Sequence, residues 1–162
     1  MTIKLSNRES EFKNYKLLLL VTHLHDYQVA HFLNLAAGLH FKKYSDFPFA
    51  TNTNNIRYYS WFHYHMEGDY GRYYLIENGK RGNWLFSDLK NIDFLLFIKG
   101  AVPEKNFSDL KASIRNIKGI LAVLPHDVSH LQGAQAFFDE MELHELEHVI
   151  KPKKSSVIKF KY

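Results

Sequence analysis

The chain of 162 residues carries a formal net charge of +4, with 46% hydrophobic and 15% aromatic residues. That is enough apolar material for one packed core, in a chain too short for two comfortable ones. Cysteine is absent, which excludes disulfides, thiolate zinc sites, iron–sulfur clusters and cysteine nucleophiles, so any metal would need histidine and carboxylate ligands.

Residues 1–14 are polar and aperiodic and read as a flexible leader, residues 15–150 as a single domain, and residues 151–162 as a basic tail. The tail holds Lys151, Lys153, Lys154, Lys159 and Lys161 and no acid, which leaves residues 1–150 with a net charge of −1. Lys16 to Val21 is a continuous apolar run of strand length, suited to a central strand covered on both faces. It is far too short to span a bilayer, and it follows Glu9 and Glu11 where a signal peptide would place basic residues. A cytoplasmic protein with no membrane partner is expected.

Thr22 stands where a helix N-cap belongs, and Leu24, Tyr27, His31 and Leu35, with Ala30, Phe32 and Leu33, at three- and four-residue spacing predict a helix over about 23–37, closed by Gly38. From Leu39 the period changes to two, which predicts a strand to Tyr44. Phe47-Pro48-Phe49 through Asn55 reads as a loop. Ile56–Met66 and Tyr70–Glu77, joined by Glu67-Gly68-Asp69, form an expected antiparallel hairpin. Asn78-Gly79 is a turn, Trp84–Phe86 a short strand and Ile92–Ile98 a second strongly apolar strand. Glu104–Asn116 reads as an amphipathic helix, Gly119–Leu124 as a strand, and Asp127 or Ser129 to about Val149 as a last helix that Pro152 ends. This order implies an α+β fold, a mostly antiparallel sheet with two or three helices packed against it, resembling an expanded ferredoxin-like sandwich.

Two segments carry a family resemblance. Thr22-His-Leu-His-Asp-Tyr27, with Phe32-Leu-Asn34 and Gly38-Leu39, and Phe86-Ser-Asp-Leu-Lys-Asn-Ile-Asp-Phe94 resemble the IPExxxVDY family of small bacterial proteins over about residues 15–130. Here Phe86-Ser87-Asp88 stands for Ile-Pro-Glu, and Ile92-Asp93-Phe94 for Val-Asp-Tyr. The resemblance implies a cytoplasmic bacterial housekeeping or accessory domain and no catalytic residue. Asp26 and Asp88 read as structural residues of a helix start and a turn. Asp93, at the mouth of an apolar strand, needs a hydrogen-bond partner.

Two further patterns suggest chemistry. His144-Glu145-Leu146-Glu147-His148 matches H-E-x-x-H, in which a helix aligns two imidazoles for zinc with Glu145 as base. Five acids between Asp139 and Glu147, and no histidine or acid after His148, favour a solvated helical face instead. The pairs His23/His25 and His63/His65 have no carboxylate at matched spacing. Tyr58, Tyr59, Trp61, Phe62, Tyr64, Tyr70, Tyr73 and Tyr74 crowd the hairpin beside Arg57 and Arg72, a composition that stacks nucleic-acid bases or anchors a protein interface. The expected binding residues are Arg57, Tyr59, Trp61, Arg72 and Tyr74. No glycine-rich phosphate loop, dinucleotide fingerprint or Gly-x-Ser-x-Gly elbow occurs, so no cofactor is expected. The sequence thus favours a non-catalytic binding or adaptor domain that dimerises or meets a protein partner through the hairpin. RNA binding aided by the lysine tail, and a zinc hydrolase centred on His144 and His148, are the alternatives.

Overall fold

In the computed structural model, which describes residues 14–50, 55–65, 71–79 and 83–151, the first apolar run is strand β1 (Tyr15–Thr22). Leu17, Leu18, Leu19 and Leu20 are all buried, because helices or loops cover both faces of the sheet. Strands β2 (Lys42–Lys43), β3 (Phe47–Ala50), β4 (Ile56–Tyr59), β5 (Trp61–His65), β6 (Arg72–Glu77), β7 (Phe94–Lys99) and β8 (Ile120–His126) follow. Six strands form one sheet in the order β2-β5-β6-β7-β1-β8, antiparallel throughout, and β3-β4 make a separate two-stranded sheet. The two long apolar segments are adjacent: β1 pairs with β7 from Tyr15 opposite Lys99 to Leu20 opposite Phe94.

Helices α1 (Asp26–Ala37) and α2 (Glu104–Arg115) cover one face, where Leu18, Leu20, Leu75, Leu96 and Ile98 meet Val29, Leu33, Phe107 and Ile114. Helix α3 (Ala134–Glu145) and the β3-β4 hairpin cover the other, where Leu17, Leu19, Tyr74, Leu95 and Phe97 meet Phe137, Phe138, Met141 and Phe47. Each fully buried Leu or Phe contributes roughly 1.5–3 kcal/mol. Strands β1, β6, β7 and β8 with α1 and α2 reproduce the ferredoxin-like order, fourth strand beside first, first beside third, third beside second. The expansion is β5, β2 and the β3-β4 pair, all inserted before β6, together with α3 on the second face.

Several local expectations are corrected. Helix α1 starts at Asp26 with His25 at its N-cap, whose backbone N–H donates to Gln28 Oε1 at 2.8 Å. Thr22 instead ends β1: its hydroxyl donates to the Gly119 carbonyl at 2.6 Å and accepts the Leu24 N–H. Of the apolar positions expected in α1, Ala30 and Leu33 are buried, joined by Val29, whereas Tyr27 and Leu35 face solvent. Phe47–Ala50 is a strand, and the aromatic run breaks at Ser60, so β4 pairs with β3 while β5 pairs with β6. Ser60 is held there because its hydroxyl donates to Asp26 and accepts from Lys43. Trp84–Phe86 is irregular and leads into a short 3-10 turn at Ser87–Leu89. The expected turn at Glu67-Gly68-Asp69, most of the leader and most of the tail lie outside the described residues. No helix among the described residues is long and apolar enough to cross a membrane.

Candidate functional site

The hairpin residues singled out by composition do not form an exposed face. Trp61 and Tyr74 are completely buried and Tyr59 nearly so, with Arg57 and Arg72 partly exposed. The physical reason is that the sheet is covered on both sides, so the alternate residues of β5 and β6 have no solvent face to occupy. Of the described tyrosines there, Tyr58 on β4 is the exposed one, at 68%. A base-stacking platform built from Tyr59, Trp61 and Tyr74 is therefore ruled out by burial.

The H-E-x-x-H segment is also diverted inward. His144 and Glu145 end α3 and are buried, and residues Leu146–Ile150 continue as a π-turn in which Lys151 N–H donates to the Leu146 carbonyl. Glu145 accepts from His63 Nε2 at 2.5 Å and from the Tyr74 hydroxyl at 3.0 Å, and forms an ion pair with Arg72 Nη1 at 3.1 Å. Burial alone would raise the Glu145 carboxyl pKa, yet the hydrogen bond and charge of His63, with Arg72 and Tyr74, hold it below the usual carboxylate value. Burial and the Glu145 charge push the Tyr74 phenol up. A carboxylate committed to two hydrogen-bond donors and an ion pair is not a base facing a zinc-bound water. His144 Nε2 sits 2.8 Å from the Ser45 carbonyl, and burial lowers its pKa. Although the His144 and His148 rings lie 4.3 Å apart, no group of three His, Cys, Asp or Glu side chains that could hold a metal occurs among the described residues. Asp139, Glu140, Glu142 and Glu147 are solvated as expected; Glu145 is the exception.

Among the described residues, one accessible site is a cleft of about 300 Å³ at one end of the sheet, lined by Thr22, His23, Leu24, His25, Glu77, Gly79, Trp84, Asp93 and Phe94. It lies where β1 and β6 end and β7 begins, so three adjacent strands and the loop before β7 converge on it. Asp93 fixes that convergence. Its N–H donates to the Leu20 carbonyl at 3.0 Å, its carbonyl accepts Asn78 N–H at 2.9 Å, and its Oδ2 accepts Thr22 N–H at 2.9 Å.

Asn78 anchors the outer wall and is fully buried. Its Nδ2 donates to the carbonyls of Leu89 and Ile92, its Oδ1 accepts Phe86 N–H, and its backbone carbonyl accepts Leu85 N–H. Gly79 follows with φ +106°, and a Cβ there would collide with the Asn83 carbonyl, so this tight approach requires glycine. At the rim, His25 and Tyr27 stack with ring centroids 5.9 Å apart and nearly parallel, and Tyr27 is 64% exposed. Sequence reasoning noticed His23, His25 and Asp93 separately and took Asn78-Gly79 as an ordinary turn. The signal that joins them is the pairing of β1 with β7, which brings residues 22–27 against residues 86–94. These are the two segments that carry the family resemblance.

No family model, curated protein or solved structure matches the chain.

Proposed function

We propose that this is a non-catalytic binding domain of the cytoplasm whose ligand or partner segment enters the cleft between Trp84, His25 and Asp93. The observation that carries the reading is the convergence of two exposed histidines, two carboxylates and a half-buried tryptophan on one concave surface. Sites for small ligands and side-chain anchors combine concavity, an aromatic wall and a few polar groups in this way. The polar groups on its floor are engaged in holding strand ends, with Thr22 and Asp93 hydrogen-bonded to each other, which suits a rigid receptor better than a reaction centre. Membership of the IPExxxVDY group is part of the same proposal, supported by its two characteristic segments meeting here.

A thermal-shift screen of small polar compounds and short peptides tests the reading. Some compounds should raise the melting temperature of the unaltered protein and not of Trp84→Ala or His25→Ala. A screen in which every stabilising compound acts equally on both variants would contradict it.

A further inference from the structure

We infer that the outer edge of strand β8 is the interface of a two-fold dimer, in which the same strand of a second copy of this chain pairs antiparallel to it. The inference is independent of what the cleft binds. It starts from the unlike ends of the six-stranded sheet. At one end, β2 is two residues long and consists of the exposed Lys42 and Lys43, and a short edge strand bearing lysine repels a further strand. At the other end, β8 has seven residues and not one Asp, Glu, Lys or Arg. Among the described residues it is paired on one side only, with β1. An antiparallel strand paired on one side turns the N–H and C=O groups of alternate residues outward, which is a template for another strand.

The side chains of β8 add to this. Val123 is buried with the residues of α1 and α2, but Leu121 is 60% exposed and Leu124 47%. Two large apolar side chains within four residues, on an edge without charge, form a surface that monomeric sheets avoid. A second copy fits it because the strand is its own complement. With Val123 opposite Val123 of the partner subunit, Leu124 falls opposite Ala122 of the partner subunit, and the two-fold axis makes that contact twice. A large side chain thus meets a small one on the same face of the joined sheet. An uncharged strand also asks for no complementary charge, and a second, equally uncharged copy brings none.

The contact is small. The register of β8 against β1 shifts between Val21 and Thr22, and Pro125 has no N–H, so the straight, donating stretch is the middle of the strand. Such an interface stays well under the roughly 1,200 Å² of stable complexes, so the dimer is transient, with a dissociation constant on the order of 0.1 mM.

Sedimentation equilibrium of the full chain from about 10 μM to about 1 mM brackets that value. A reversible monomer–dimer equilibrium without larger species is expected, because a two-fold contact closes on itself. Leu124→Lys should weaken association at least about tenfold by placing a charge in the joint, and Leu121→Lys gives the same reading should the first variant fail to fold. Tyr58→Lys, at an exposed apolar position on β4, should leave association unchanged. Exchange of the Val123 amide should slow as concentration rises. A strict monomer at the highest concentration would overturn the inference, as would equal weakening by Tyr58→Lys and Leu124→Lys. Full protection of the Val123 amide at the lowest concentration would overturn it too, assigning the edge to another segment of the same chain.

Discussion

Replacing Glu145 by Ala should be among the most damaging single changes in the domain. Glu145 is 3% exposed, accepts from His63 and Tyr74, and is ion-paired with Arg72. Its removal leaves the Arg72 charge and the buried Tyr74 hydroxyl without their acceptor, and breaking a buried pair from one side costs roughly 3–5 kcal/mol. Domains of this kind have about 5–15 kcal/mol in total. With a urea slope near 2 kcal/mol/M, a 4 kcal/mol loss moves the unfolding midpoint down by about 2 M. Glu145→Gln keeps the shape and should lose less. The same network sets an acid limit. Folding lowers the Glu145 pKa, so the unfolded chain holds the proton more tightly, and the stabilisation is complete above about pH 4.3 and disappears as pH falls through the folded value. Urea denaturation of both proteins between pH 3 and 7 measures this, and the gap between them should narrow at the acid end. A midpoint shift under about 0.5 M for Glu145→Ala at pH 7 would refute a buried, load-sharing carboxylate and restore the solvated helix read from composition.

Three further outcomes follow from the packing. His144 has its pKa lowered by burial, so the unfolded chain takes up a proton first and stability should fall as pH drops through the ordinary imidazole value near 6.5; His144→Gln, which keeps an Nε2 donor for Ser45, should flatten that slope in a denaturation series from pH 5.5 to 7.5. Trp61→Ala should cost about 3–5 kcal/mol, whereas Tyr58→Ala, whose ring is exposed, should stay within about 0.5 kcal/mol; similar losses by chemical denaturation would contradict the assigned burial. Gly79→Ala should destabilise by at least about 1–3 kcal/mol, measured the same way, because its positive φ and the Asn83 carbonyl leave no space for a methyl group.

The architecture was readable because its strongest signals are local. Leu17–Leu20 and Phe94–Ile98 are unbroken apolar runs that only a sheet covered on both faces accepts, and Gly38 with φ 67° closes α1 as its position suggests. The division of the aromatic run at Ser60 was not readable, since it depends on a hydroxyl bridging Asp26 and Lys43 from distant parts of the chain. Nor was the role of Thr22, which resembles a helix cap until β8 places the Gly119 carbonyl beside it. Glu145 did leave a trace. It lies four residues after the buried Met141, on the inward stripe of α3, but four solvated acids around it outweighed that spacing. Asp93 was legible as a carboxylate in need of a partner; that the partner is the Thr22 backbone, and that a cleft forms around them, required the pairing of β1 with β7.

The central claim is the location of the binding surface, and a map of backbone amide shifts on adding a compound that binds tests it most directly. The changes should concentrate at Thr22–His25, Glu77–Gly79, Trp84 and Asp93–Phe94. Changes confined to Ile56–His65 or to the turn at Leu146–Ile150, with the cleft amides unmoved, would contradict it.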